Sequence, residues 1–256
     1  MLTLLSPTRT MNMEARIPPD CPHATTPRFI KESETLIKGL QTFSAGELAR
    51  IMQINTSVAN KFYHIYQHFY NTNIPSLQAV LAYNGNVYKK LNAENFNRED
   101  FIYAQNKVRI ISTLFGWITP IDGIKAYRLM FRMHIPGTGD ENLYQFWSPR
   151  LTSTCINELK DNGNILINLA SDEIFKSLDK KALINAGIKI ISPVFKDYRE
   201  GKLRSYQIYS KQARGSFARY IVKNKITDPQ DLLSYQEDGY HYDANLSSET
   251  QYIYTR

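Results

Sequence analysis

Residues 164 to 171 read N-I-L-I-N-L-A-S. A short run of branched apolar residues ended by a serine reads as a buried strand that stops at the N-cap of a helix. The same alternation of element types extends in both directions. Upstream, M-L-T-L-L-S-P at the start reads as a first strand. Downstream, I-K-I-I-S-P-V-F (188–195) and L-R-S-Y-Q-I-Y (203–209) read as two more, and short strands near Tyr240–Tyr242 and Tyr252–Tyr254 close the chain. Helices fill the remainder. Thr26-Pro27 opens one that runs to about Leu40, Ser44 with Glu47 forms a capping box, and Asn55 or Thr56 caps a third. Asn97 with Asp100 caps another, and Ser148-Pro149 starts one more. Strands and helices are interspersed without strict βαβ regularity, so the expected fold is mixed α/β: a single domain with a mixed β-sheet flanked by helices.

The chain has 256 residues, 43% hydrophobic and 21% charged, which are the proportions of a soluble globular protein. No apolar run approaches the roughly 18 residues of a membrane span, and the opening segment is too short for a signal-peptide core. Cys21 and Cys155 make no framework or metal spacing and are expected to be reduced thiols in a cytoplasmic protein. Charge is unevenly distributed. Residues 176 to 225 hold thirteen Lys or Arg against three acids, whereas residues 226 to 256 hold six acids against Arg256. A basic block followed by an acidic tail points to an anionic partner, with nucleic acid first.

The block ends in Y-S-K-Q-A-R-G-S-F-A-R-Y-I-V-K-N-K, residues 209 to 225, with five cations and no acid. On a helix, Ala213, Phe217, Tyr220 and Ile221 share a core-facing side. Lys211, Arg214, Arg219, Lys223 and Lys225 spread over the other, around Gly215, Ala218 and Val222. A glycine inside a helix marks a close approach. Two readings of that trough stand: it receives a neighbouring helix, or it receives a phosphate backbone. Lys225, near the helix end, is expected to be solvated.

Other segments carry chemistry by type and spacing. In L-A-R-I-M-Q-I-N-T-S-V-A (48–59), Leu48, Ile51, Ile54 and Ala59 fall where a helix-hairpin-helix element places its apolar residues. Met52-Gln53 replaces its Pro-Gly, and Asn55 replaces its second glycine; Asn tolerates the left-handed turn such a hairpin needs. S-P-T-R-T (6–10) at a strand end places hydroxyls and Arg9 where an anion can sit. W-I-T-P-I-D-G-I-K-A-Y-R (117–128) brings Lys125 and Arg128 after a turn. His64 and His68, four apart, lack a third ligand, so no metal is expected. No glycine-rich phosphate loop and no Ser/His/Asp set is present, and no cofactor is expected.

Taken in order, L-L-S-P-T-R-T, N-V-Y-K-K-L, A-Q-N-K-V-R-I-I-S-T-L-F-G, T-P-I-D-G-I-K-A-Y-R-L, N-L-Y-Q-F-W, N-L-A-S-D-E, K-Q-A-R-G-S-F-A-R and D-G-Y resemble the YaaA family of bacterial peroxide-stress proteins across nearly the whole chain. The resemblance implies a cytoplasmic single-domain α/β fold with a helix-hairpin-helix element and a positively charged cleft. It also implies binding to duplex or bubble-containing DNA and a role in limiting iron-dependent oxidative damage. It establishes no enzymatic activity. Lys211, Arg214, Gly215 and Arg219 match the family pattern unchanged, whereas Arg9 and Thr119 stand where the family has lysine and arginine.

The expected function is therefore a DNA-binding stress protein. Lys211, Arg214 and Arg219 are the first candidates for contacts, then Arg9, Lys125 and Arg128, with the hairpin at 48–59 adding backbone contacts. The alternative is a glycosylase- or abasic-lyase-like enzyme, with Lys211 as amine nucleophile and Glu173 or Asp122 as acid/base.

Overall fold

A computed structural model describes residues 1–256. In chain order the strands are β1 (Leu2–Leu5), β2 (Ser76–Gln78), β3 (Val108–Ser112), β4 (Gly116–Ile118), β5 (Gly123–Lys125), β6 (Ile165–Asn168), β7 (Lys189–Arg199), β8 (Lys202–Arg204), β9 (His241–Tyr242) and β10 (Gln251–Thr255). The helices are α1 (Ile30–Gln41), α2 (Ala45–Met52), α3 (Thr56–Gln67), α4 (Ala79–Ala82), α5 (Asn86–Leu91) and α6 (Arg98–Lys107) in the first half. They continue with α7 (Leu143–Lys160), α8 (Asp172–Phe175), α9 (Lys180–Asn185) and α10 (Gln207–Lys223).

The apolar run at 165–168 forms β6, the central strand of the main sheet. The order is β4-β3-β1-β6-β7-β10-β9, with β8 pairing β7 off this path. The five strands β3, β1, β6, β7 and β10 are parallel, and antiparallel strands β4, β8 and β9 complete the sheet. β1 is buried along its whole length, as a parallel strand covered on both faces must be. One hydrophobic cluster of 69 buried residues runs from Met1 to Tyr254. The mixed α/β expectation therefore holds, and no helix is long and apolar enough to cross a membrane.

Several expected boundaries hold for the expected reason. Ser44 and Glu47 form a reciprocal capping box at α2, and Asn97 and Asp100 form one at α6. Ser171 caps α8 by accepting from the Ile174 N–H. Three boundaries differ. α1 begins at Ile30, after Phe29, rather than at Thr26-Pro27, and Thr25 just before that dipeptide is instead bridged to Asp122. α7 begins at Leu143 rather than at Ser148-Pro149, because the Asn142 carboxamide caps the Tyr144 and Gln145 N–H groups and the first turns bury Leu143, Phe146 and Trp147. Pro149 sits inside this helix at the loss of one backbone hydrogen bond. The segment 203–209 is not a strand throughout: β8 ends at Arg204 and α10 starts at Gln207. Burying Ala213, Phe217 and Ile221 outweighs the local strand pattern, and Phe217 packs edge-on against Phe195 of β7 at 5.7 Å.

Candidate anion-binding site

In the main sheet β3 lies on one side of β1, and β6 with β7 on the other. The chain leaves the carboxyl ends of β1 and β6 in opposite directions, so the crevice above that pair is a topological switch point, where open α/β sheets place ligands. A pocket of about 580 Å³ occupies it. Its floor comes from the segments that follow the parallel strands: Ser6–Thr10 after β1, Thr113 after β3, and Leu169, Ser171, Glu173 and Ile174 after β6. Its walls are the start of α5, the segment Tyr127–Phe131, and Lys211 with Arg214 on α10.

Local hydrogen bonds fix that floor. The Ser171 N–H donates to Ser6 Oγ at 2.8 Å, and the Tyr88 hydroxyl donates to the Ser6 carbonyl at 2.8 Å. Behind the wall, Ser112 donates to the Tyr127 hydroxyl at 2.8 Å, which lies 2.7 Å from the Tyr83 hydroxyl. The floor is thus a rigid array of hydroxyls and backbone amides.

The charge of the site lies in its pairing pattern. Five cations line the pocket (Arg9, Lys89, Arg128, Lys211 and Arg214) against the single acid Glu173. None of the five side chains takes part in an ion pair or a hydrogen bond within the chain. Burial draws the Arg214 guanidinium below its ordinary range, an effect that the Asp172 charge partly offsets. Burial, and then the charge of Arg9, do the same to Arg128. Half-buried guanidiniums without partners are costly in a chain alone and favourable once an anion is bound.

The neighbouring cations behave differently. Arg219 donates to the Leu91 and Asn92 carbonyls at 3.1 and 3.0 Å, capping the end of α5. Lys223 and Lys225 both bind the Asp100 carboxylate. Lys225 is therefore not solvated as expected, and Arg219 is a packing contact between α5 and α10. Lys90 pairs with Asp238 at 2.8 Å. Lys125 lies outside the pocket: its ammonium donates to the Phe69 and Asn71 carbonyls at 2.6 and 3.1 Å, and burial lowers its pKa.

Gly215 resolves in favour of a neighbouring helix. A Cβ there would overlap the Val87 carbonyl, 2.9 Å from its carbon and 2.8 Å from Lys90 Cβ. The trough is filled by α5, so no phosphate enters at Gly215. Asp122 is equally displaced from the expected chemistry. It is buried, accepting from the Thr25 hydroxyl at 2.7 Å and the Thr119 N–H at 2.8 Å, and does not line the pocket. Lys211 and Glu173 do share the pocket, and Lys211 is exposed.

At 48–59, α2 and α3 are joined by a short turn, with Leu48 and Ala59 in the core and Ile51 and Ile54 half-buried against it. The left-handed residue is Gln53, at φ 53°, rather than Asn55, which is extended and caps α3 by accepting from the Val58 N–H. The left-handed conformation thus falls at the position of the pattern's first glycine, two residues before Asn55. The turn reaches the pocket wall indirectly: Arg132, which follows the lining segment Arg128–Phe131, donates to the Gln53 side chain at 3.2 Å.

Lys89 was the member of the pocket that residue type alone did not single out. Its signal was N-V-Y-K-K-L, in which adjacent lysines on a short helix face opposite ways, Lys89 to the pocket and Lys90 to Asp238.

Known proteins match this chain over nearly its whole length. The family model described as "Peroxide stress protein YaaA" matches residues 1–246. A protein of Bacteroides thetaiotaomicron named "UPF0246 protein" is 38% identical over 254 residues, covering 99% of this chain and 98% of that protein. One of the same name from Crocosphaera subtropica is 39% identical over 258 residues, covering all of both. A third, from Parabacteroides distasonis, is 37% identical over 254 residues, covering 99% of each.

Proposed function

Given that the chain belongs to the YaaA family of peroxide-stress proteins, we propose that it binds DNA in the cytoplasm through the switch-point pocket, taking hold of backbone phosphates, and so limits iron-dependent oxidative damage under peroxide. The observation that carries this reading is the contrast among the cations around the pocket: their neighbours Lys90, Lys125, Arg219, Lys223 and Lys225 are taken up by carboxylates or carbonyls of the chain, and the five that line it are not. Unpaired guanidiniums and ammoniums around serine and threonine hydroxyls form the chemistry of a phosphate site. The protective role rests on the family alone and on no single residue.

A volume of about 580 Å³ is that of a small-ligand pocket rather than a groove for a double helix. DNA whose backbone is distorted or unpaired, able to place one nucleotide with its phosphate in the pocket, fits this volume better than regular duplex. The exposed α2–α3 turn at Gln53–Asn55 would add backbone contacts at the side of the bound strand. Lys211 and Glu173 also suit an abasic lyase, but the exposure of Lys211 favours a phosphate contact over an amine nucleophile.

A titration of duplex, bubble-containing and single-stranded probes at two salt concentrations tests the reading. Affinity is expected to fall with salt, with a slope no steeper than about −4.5 for five neutralised phosphates. A slope near zero would remove nucleic acid as the partner. Borohydride trapping of the protein on abasic DNA would replace the binder with the lyase.

A further inference from the structure

The longest strand extends well past its neighbours. β7 pairs with β6 only over Lys189–Ile191, then with β10 over Ser192–Lys196, and finally with β8 over Asp197–Arg199. From Ile191 to Arg199 it rises roughly 25 Å beyond β6, on the edge where the pocket opens. Its tip is a tight hairpin: Glu200 and Gly201 both have positive φ, 51° and 70°, the pair of left-handed residues that a two-residue turn between twisted strands requires.

The surface of this hairpin is unusual for a solvated loop. Arg199, Lys202 and Arg204 are exposed, and Glu200 is the one exposed acid beside them, since Asp197 is buried against Arg256 at 2.6 Å. Tyr198 and Ile208 are the two most exposed large apolar side chains of the protein, at 67% and 61%. Cross-strand register separates the faces. Arg199, Lys202 and Arg204 share the face turned to α10, where Arg199 lies over the Tyr206 and Tyr209 rings, and Tyr198 with Leu203 shares the opposite face.

Ile208 is tied to the pocket by helical spacing. Ile208, Lys211 and Gly215 form one stripe on α10. Gly215 packs on α5, Lys211 lines the pocket next to the start of α5, and Ile208 lies one turn further towards the N-terminus of α10, away from the end of α5 that Arg219 caps. Ile208 does not line the pocket itself and stands exposed one turn before Lys211, which does.

We infer that the β7–β8 hairpin and the first turn of α10 form a strand-separating element for DNA. One unpaired strand runs along Arg199, Lys202 and Arg204 past Ile208 into the pocket, while a base of the other strand stacks on Tyr198. Lys202 and Arg204, which have no partner, and Arg199, held by the Tyr209 hydroxyl at 2.9 Å but by no acid, stand beside exposed aromatic and aliphatic side chains. Such a surface matches a single-stranded polyanion, whose phosphates need charge and whose bases need an apolar face. The inference rests on the DNA reading of the pocket and names the part of the DNA that lies outside it.

The test compares a duplex with the same duplex carrying a central bubble, using the unmodified protein, Tyr198→Ala/Ile208→Ala, and Arg214→Ala. Tyr198 and Ile208 are both exposed, so the double variant is expected to keep the thermal midpoint. Its affinity for the bubble is expected to fall about tenfold, with duplex affinity within about twofold. Arg214→Ala is expected to weaken both probes. A double variant that keeps the bubble preference overturns the strand-separating element while leaving the pocket reading intact. Loss of all DNA binding by the unmodified protein overturns both. A self-association that the double variant abolishes, with DNA binding unchanged, reassigns the patch to a second copy of the chain.

Discussion

Ser6 and Ser171 lie 165 positions apart in the chain, yet the Ser171 backbone N–H donates to the Ser6 side-chain oxygen at 2.8 Å. This bond ties the carboxyl ends of β1 and β6 together across the switch point and sets the floor of the pocket. Ser6→Ala leaves that amide without its acceptor in a half-buried position. A loss of about 1 kcal/mol in unfolding free energy is expected, measured by denaturant titration. DNA affinity should weaken with it, since the pocket floor loosens. Unchanged stability would mean that water replaces the hydroxyl without cost.

Gly215→Ala tests the packing of α10 on α5. The added methyl meets backbone at Val87 and the Cβ of Lys90, neither of which is the movable end of a side chain. Overpacking of this kind costs about 1 to 3 kcal/mol, more than any gain in helix propensity. Thermal unfolding should show a lower midpoint, with the salt dependence of DNA binding retained by whatever fraction remains folded.

The fold was largely legible from local signals, because the residues that end its elements act locally. Ser44, Asn97 and Ser171 cap helices through neighbours three positions away, and β1 and β6 are apolar runs. Legibility failed where a distant partner decides. Nothing in the sequence near Gly215 says that α5 fills its trough, or that Asp100 takes both Lys223 and Lys225. Cation density marked α10 correctly as basic, but which cations remain unpaired depends on acids and carbonyls far away in the chain. Arg9, Arg128, Lys211 and Arg214 reach the pocket, whereas Lys125 and Arg219 are taken up by carbonyls.

Asp100 gives the protein a defined acid sensitivity. Burial raises its pKa, but hydrogen bonds from Lys223, Lys225 and the Asn97 N–H outweigh burial and hold it below the usual aspartate value. A carboxylate with a depressed folded pKa contributes stability that is complete above the unfolded value of about 3.9 and is lost as pH falls through the folded one. Asp100→Asn should lower stability at neutral pH by about 2 to 3 kcal/mol, at the modest end for a buried pair because both lysines are about one-third exposed. The difference between variant and unmodified protein should narrow below about pH 4. A difference that is constant with pH would assign the loss to the capping box alone.

Both thiols are free, Cys155 buried and Cys21 half-buried. Burial pushes Cys21 up to about 11 and Cys155 up to about 12. Reactivity belongs to the thiolate, so at pH 8 only about one part in a thousand of Cys21 is competent. Alkylation of the native protein is expected to be slow at both positions and slowest at Cys155, becoming fast in denaturant. Peroxide treatment should leave no Cys21–Cys155 disulfide in the intact mass. A reversible stoichiometric disulfide would instead make the protein a redox switch.

Arg214 and Arg219 lie just over one turn apart on α10 and separate the two roles that a basic helix can have. Arg214 lines the pocket without a partner, while Arg219 caps the carbonyl end of α5. Arg214→Ala removes one phosphate contact, so it should flatten the slope of log affinity against log salt by about 1, equally for unrelated sequences, because phosphate contacts carry no base information. Its stability should stay the same or rise, since an unpaired half-buried cation is removed. Arg219→Ala should act the other way: a lower thermal midpoint, from two uncapped carbonyls, and an unchanged salt slope in the folded fraction. If Arg219→Ala flattens the slope and keeps the midpoint, the bound DNA reaches the α5 end of the helix and the contact surface extends beyond the pocket. If Arg214→Ala leaves the slope unchanged, the pocket is not where phosphate is held.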